Sequence, residues 1–253
     1  MFQPLAQSSC ILLMTLRLFF TNGGELFLPA FEPGAPVHTY TGYTLRYNER
    51  NEQPDWVAYE LTAQEVYSKE AERSNRFLPD PEIPTGSASD ADYRRSGYDR
   101  GHLAPAADMR FSSSAMKECF YYSNISPQDP SFNRGIWSSL EEQTRDWAME
   151  AGSVCITTGP LFYGEYSPVI GPDRVAVPDF FFKAILDYRS ATPKAIAFII
   201  PNRKADSPLP KFACSVDEAE RLSGLDFFPA LPDCIETTVE ATENISLWFP
   251  EDH

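Results

Sequence analysis

Twenty-two prolines and thirteen glycines break this chain of 253 residues into many short pieces. Proline removes an amide donor and glycine frees the backbone for turns, so many connections are expected, in a loop-rich α+β or mixed fold. The length suits one large domain or two small ones and can bury a full core. An apolar content of 43% with 13% aromatic residues excludes disorder as the general state.

Hydrophobic patterning supplies the elements. Tyr40–Tyr47 and Trp56–Leu61 alternate apolar with polar side chains and predict two strands joined by the polar turn Asn48–Pro54. Thr62, three residues before Glu65, has the spacing of a helix capping box. Residues 75–97, with Pro79, Pro81, Pro84 and Gly86, predict a long irregular connection, usually functional or mobile at that length. Asp99–His102 is expected as a strand or turn, Ala115–Cys119 as a short helix, Phe120–Ile125 as a strand, and Ser126–Pro130 as the turn after it. Asn133–Ala151 is the strongest helix, with Ile136, Leu140 and Trp147 near one face and Gly152 as its stop. Val154–Phe162, Phe180–Asp187 and Ala195–Pro201 predict buried strands. No Pro/Ser linker divides this set, so residues 26–253 are expected to form a single domain.

The first 25 residues form a tail or a degenerate export signal. Ile11–Phe20 is apolar but too short to span a bilayer. No Lys or Arg precedes it and Arg17 interrupts it, so it is equally a remnant of a signal or a loosely held tail. Export to the periplasm or outside, with no stable membrane span, is the expected localisation. Five cysteines are too few for a disulfide scaffold and show no Cys-x-x-Cys spacing. Cys214 and Cys234 flank a predicted helix and turn; pairing and free thiols are equally compatible with that spacing.

A net charge of −15 opposes a nucleic-acid partner at first sight, because phosphate binding is largely cationic neutralisation. Its distribution reverses that. Residues 91–147 carry seven basic and eight acidic side chains, a balance of −1, leaving −14 for the rest. A local cationic cleft is therefore compatible with the acidic total, with poor long-range steering.

Of three histidines, His38 lies in an early polar segment and His253 ends the chain, which leaves His102. Thirty-one residues on, Asn133 opens the helical stretch that carries Glu141 and Arg145. Hydrolysing a phosphodiester needs a base for water, stabilisation of the crowded anion, and help for the leaving alkoxide. An imidazole with its ordinary pKa of about 6.5 suits the first task. Permanently charged, forked guanidinium groups suit the second. A hard divalent ion such as Mg²⁺ suits the third and needs only one or two protein oxygens. The carboxamide of Asn133 is such a ligand, and Glu141 could act through a water molecule.

Asp99-Arg100-Gly101-His102, Ser123-Asn124-Ile125-Ser126-Pro127-Gln128 and Asn133-Arg-Gly-Ile-Trp-Ser-Ser-Leu-Glu141 resemble the DNA/RNA non-specific endonuclease family, which includes the Serratia-type nucleases and mitochondrial endonuclease G, within the ββα-metal group. Thr158-Gly-Pro, Val177–Ala184 and Gly224–Pro229 extend the similarity over residues 26–236. The resemblance implies a central antiparallel sheet flanked by helices, with the base on a hairpin and the metal ligand on a helix in a ββα-metal finger. It implies endonucleolytic cleavage of DNA and RNA with little sequence preference, 5′-phosphate ends, and homodimers. By position, His102 would be the general base and Asn133 the direct Mg²⁺ ligand, with Mn²⁺ able to substitute. Glu141 would bind the metal through water, Arg100 and Arg145 would contact the scissile phosphate, and Asn124 would support the site near the base. Two features depart from the family. The position aligned to a further phosphate-contacting arginine of the Serratia-type enzymes falls near Glu60, and the acidity is unlike that of the mitochondrial members.

Each residue also has an ordinary reading. Asn133 could be a helix N-cap. Glu141 and Arg145, four apart, could form a surface ion pair. Asn124 and Gln128 could satisfy backbone groups in a turn, and Asp99 is read as structural, pinning an arginine or the loop. Arg94, Arg95, Arg110, Lys117 and Arg134 are candidate backbone contacts for nucleic acid, as is Gln128, or solvated surface. Tyr93 and Tyr98 could stack on bases, but packing in the core or rim is the favoured reading. The alternatives to a nuclease are a phosphodiesterase for a small or lipid-linked ester, and a silent nucleic-acid-binding module. A zinc enzyme needing several histidines is disfavoured.

Overall fold

The computed structural model describes residues 26–250 except Glu165; the apolar run 11–20, with the tail through residue 25, and His253 lie outside the described residues. Three strands open the fold, β1 (Val37–Thr39), β2 (Thr44–Asn48) and β3 (Gln53–Thr62). Helix α1 (Ala63–Tyr67) begins at the expected capping box. Glu65 N donates to Thr62 Oγ1 at 3.2 Å and Thr62 N donates to Glu65 Oε2 at 2.9 Å, so two amides that the helix leaves open find acceptors. The connection over 75–97 contains one helical turn, Asp90–Tyr93, and then come β4 (Asp99–His102), α2 (Ser113–Glu118) and β5 (Ile125–Gln128).

Two expectations are corrected here. Phe120–Ile125 is not a strand: Tyr122–Asn124 form a 3₁₀ turn, and the strand is the Ile125–Gln128 segment expected to turn. It pairs antiparallel with β4, Asp99 opposite Gln128 and His102 opposite Ile125. A two-stranded ribbon has an open edge on each strand, so the donor that Pro127 lacks need not be missed.

Asn133 is also not the cap of the long helix. The chain enters helix earlier, at Asp129, whose Oδ1 accepts from Ser131 N at 2.8 Å and Phe132 N at 3.3 Å. Pro130–Phe132 make one turn, Asn133–Trp137 widen into a π turn around the non-helical Gly135 (φ −109°, ψ −111°), and α3 (Ser138–Ala151) continues from there. The helix stops at Gly152, whose φ of 87° is costly for any residue with a Cβ.

The remaining strands are β6 (Ser153–Leu161), β7 (Val169–Ile170), β8 (Val175–Ala176), β9 (Phe180–Asp187), β10 (Lys194–Pro201) and β11 (Ala213–Cys214), followed by α4 (Val216–Ser223) and α5 (Asp233–Glu240). They complete a seven-stranded antiparallel sheet in the order β1-β2-β3-β6-β9-β10-β11. The fold is thus α+β with a central antiparallel sheet flanked by helices, as expected. Side chains alternate across the sheet. Phe181 and Ile185 pack with Trp137, Leu140 and Trp147 on the α3 side, while Phe182, Ala184 and Leu186 pack with Val216, Ala219 and Phe227 on the α4 and α5 side. The same alternation turns Lys183 toward α3, against the Trp137 ring. Cys214 and Cys234 are free thiols. Among the described residues, no helix is long and apolar enough to cross a membrane.

Candidate active site

The β4–β5 ribbon and the widened turn before α3 bring the motif residues together. Gly101 is required by close approach: a Cβ there would lie 2.1 Å from Gln128 Cδ. Gln128 itself is fully buried, and neither its Oε1 nor its Nε2 has a hydrogen-bond partner. That corrects its expected role, because a side chain sealed under Gly101 cannot reach a nucleic acid. Asn124 is spent on the backbone. Its Oδ1 accepts from Ala104 N at 2.9 Å and its Nδ2 donates to Ala104 O at 2.9 Å and Cys119 O at 2.8 Å. These bonds clamp the segment that leaves His102.

His102 is 8% exposed and wedged between the rings of Phe77 and Phe120, at centroid distances of 5.4 and 4.8 Å. Its buried Nε2 has no partner. Burial, helped by the positive charges of Arg73 and Arg100, pushes its pKa down to about 3. The imidazole is therefore neutral at pH 7, with an acceptor that the protein does not use. Arg100 lies 4.2 Å over the Phe77 ring and donates to Asp90 at 2.6 Å, while Asp90 also accepts from Tyr122 Oη at 2.8 Å.

Asp99 organises the opposite wall. It takes Arg134 in a fork, 2.8 Å from Nε to Oδ2 and 2.6 Å from Nη2 to Oδ1, and it accepts from Asn133 Nδ2 at 3.0 Å. Partial burial works against its charge, but the Arg134 and Asn133 hydrogen bonds outweigh it and hold the carboxyl below its usual range. The structural reading of Asp99 is correct. With Nδ2 engaged, Asn133 Oδ1 has no hydrogen-bond partner among the described residues.

The cleft between these walls has a volume of about 450 Å³ and is lined by Phe77, Asp90, Tyr93, Arg94, Tyr98, Asp99, Arg100, Asn133 and Arg134. Arg94 and Arg134 thus line the cleft. Arg95 is exposed, on left-handed backbone (φ 60°), and does not line this cleft. Tyr93 is buried and Tyr98 sits at the rim, as packing residues.

After the widened turn, α3 carries Glu141 and Arg145. They do not form the surface pair their spacing suggested. Arg145 donates to Asp108 at 3.0 Å, and the almost fully buried Asp108 also accepts from Tyr59 Oη at 2.9 Å. The pair fails because Asp108, inside the fold, offers a less hydrated partner than a neighbour on the same helix. Glu141 makes no hydrogen bond among the described residues. Burial raises its pKa and nearby Asp108 adds to this, while Lys183, Arg145 and Arg73 pull the other way. Lys183 is fully buried, has no hydrogen-bond partner, and sits 4.9 Å from the Trp137 ring centroid; burial lowers its pKa against the attraction of Glu141 and Asp108.

Three of these residues lie outside the expected set. Asp108 and Lys183 carry no local motif that marks them as site residues. Arg73 acts electrostatically on both His102 and Glu141, stacks 5.2 Å over Phe120 and donates to Asn75 Oδ1 at 2.7 Å. Glu60, on β3 where the family's further arginine was expected, instead binds Arg189, which follows β9, at 3.1 Å.

Comparison with known proteins supplies the family. The profile described as DNA/RNA non-specific endonuclease matches residues 22–234. Mitochondrial nuclease EXOG of Danio rerio is 37% identical over 223 residues, 82% of this chain and 64% of that protein. Mitochondrial endonuclease G of Homo sapiens is 36% identical over 220 residues, 81% of this chain and 74% of that protein. A crystal structure of the EndoG/EndoGI complex superposes with a TM-score of 0.75 at 34% identity, covering 80% of this chain and 89% of that one. The chain thus spans less than two thirds of the length of the zebrafish relative.

Proposed function

This chain belongs to the DNA/RNA non-specific endonuclease family, and on that premise we propose that it hydrolyses phosphodiester bonds in DNA and RNA with His102 as general base. One observation carries the reading. A neutral imidazole with an unused Nε2 sits behind an arginine-lined cleft in which Asn133 offers a free carboxamide oxygen.

His102 takes a proton from the attacking water. Its depressed pKa, set mainly by burial, keeps the ring neutral in the resting site, and an incoming phosphate anion offsets the smaller contribution of Arg73 and Arg100, raising its basicity in part. Arg100 and Arg73 stabilise charge on the phosphoryl oxygens. Arg145, anchored by Asp108, does so from below. Arg94 and Arg134 hold the strand along the cleft. Contacts of this kind address phosphate and carry no base information, which fits DNA and RNA alike.

The donor set suits a hard divalent ion: Asn133 Oδ1 and Glu141 are oxygen donors without protein partners. Bound there, Mg²⁺, or Mn²⁺ in its place, would stabilise charge on the leaving oxygen. The direct test is digestion of plasmid DNA and of RNA at millimolar Mg²⁺, repeated with EDTA and with His102→Ala. Cleavage of both polymers, abolished by EDTA and lowered about 10²- to 10⁴-fold in the variant, is expected. Intact substrate under all conditions, or an undiminished His102→Ala, overturns the reading.

A further inference from the structure

On the face of the sheet opposite the candidate active site, α4 and α5 bring three carboxylates into one cluster. Asp217 and Glu220 lie three apart on one face of α4, and Glu240 is the last residue of α5. One oxygen from each lies within 4.8 Å of the other two. Among the described residues, no lysine, arginine or histidine forms an ion pair with any of the three; the neighbouring Arg221 is taken by Glu218 at 2.7 Å.

Acidic groups often gather on a protein surface, and a gathering alone would mean little. Glu240 is different. It is 5% exposed, and its buried Oε1 has no hydrogen-bond partner of any kind. It also sits at the C-terminal end of a helix, where the backbone dipole disfavours a negative charge. A carboxylate removed from water, unbonded and aimed at two others is costly unless something else meets it. Glu220 is prepared similarly: Phe227 N donates to its Oε1 at 2.6 Å, which fixes the carboxylate and leaves Oε2 for another partner.

We infer that Asp217, Glu220 and Glu240 form a second divalent-cation site, of calcium type, that fastens α4 to α5. The donor chemistry selects a hard ion, since all three ligands are carboxylate oxygens. The number of carboxylates selects calcium, which is commonly held by several protein carboxylates, whereas magnesium keeps most of its waters and takes only one or two. Asp217 is exposed, so waters can complete the coordination. The site does not depend on the nuclease reading.

The test is thermal unfolding of the full chain, stripped with EDTA and then titrated with CaCl₂, alongside calorimetric titration. Asn133→Ala serves as a background in which the candidate active-site ligand is gone. A saturable rise in Tm on the order of 5 °C at a hundredfold excess over Kd is expected in the wild type and in Asn133→Ala alike. The rise should disappear in Asp217→Asn/Glu240→Gln. Those amides remove repulsion, so the double variant should fold and match or exceed the metal-free wild type in Tm. Nuclease activity at saturating Mg²⁺ should be unchanged. A wild type that shows no Ca²⁺ response, or a response that survives in the double variant, overturns the site. So does a wild type stabilised on mild acidification but not by calcium, which identifies protonated carboxyls instead.

Discussion

Arg145 is held by Asp108, at 3.0 Å, and not by Glu141, one turn before it on the same helix. Asp108 is 1% exposed and is bonded to both Arg145 and Tyr59, so the α3 face of the site is tied to β3 through one buried carboxylate. Glu141 is left free for another partner. This arrangement separates two roles that the helix spacing alone had merged.

Removing Asp108 should therefore do more than loosen a surface contact. Asp108→Ala strands a mostly buried guanidinium and the Tyr59 hydroxyl, and a loss of about 3–5 kcal/mol in unfolding free energy is expected. Asp108→Asn still accepts from one of them and should recover part of it. Urea unfolding of the two variants checks the order; equal stabilities would show that the ion pair is dispensable.

The imidazole of His102 should titrate near pH 3 in the free protein, followed by its ring-proton NMR signals. Arg73→Ala should move that value upward. The neutral form is the base, so activity is expected above the His102 pKa and should fall as pH drops through it. Stability follows the same direction. With the folded value depressed below the unfolded 6.5, the contribution is complete above about pH 6.5 and is lost as pH falls toward about 3. A titration near 6.5 would mean that the ring is solvated.

Asn133→Ala should raise the Mg²⁺ concentration needed for half-maximal cleavage by more than about tenfold, with little change in Tm, because Asn133 is only half buried and Asp99 keeps Arg134. Asn133→Asp keeps an oxygen but sets a second carboxylate against Asp99. It should lose stability at neutral pH and regain it on acidification. Metal titrations of activity, paired with thermal unfolding, separate the two effects.

Lys183→Met replaces a buried, unbonded ammonium with an apolar chain of similar length, packed on Trp137. Glu141 and Asp108 lose that counter-charge, so the fold should be less stable at neutral pH, and Lys183→Met combined with Glu141→Gln should recover part of the loss. Without that cation Glu141 is harder to ionise, so the Mg²⁺ requirement should rise and the acid limb of activity should shift to higher pH. An unaltered metal requirement would remove Lys183 from the electrostatics of the site.

Gly101→Ala should cost about 1–3 kcal/mol, because its Cβ would meet the Gln128 side chain at 2.1 Å. Gln128→Ala should relieve most of that cost in the double variant. The coupling measured in a double-mutant cycle is the quantity to read.

Much of this molecule is legible in its residues. The apolar runs of β3 and β9, the Thr62–Glu65 capping box and the Gly152 stop depend on neighbours within a few positions, and such local signals are written in order along the chain. The motif set His102, Asn133 and Glu141 was likewise legible through the family it resembles. The misread segments share a cause. Ser126–Gln128 has turn-like composition and becomes a strand because β4 lies beside it; Asn133 has a cap's composition and becomes part of a π turn because Asp129 and Pro130 start the helix first.

Sequence alone determined which chemistry is available: one usable imidazole, a carboxamide, a helix with an acid and an arginine, and sheet strands to carry them. Tertiary structure decided who partners whom. Asp108 with Arg145, Lys183 under Trp137, Arg73 beside His102 and the sealing of Gln128 under Gly101 all join residues distant along the chain. Desolvation and charge proximity are properties of the packed interior, and no local pattern encodes them.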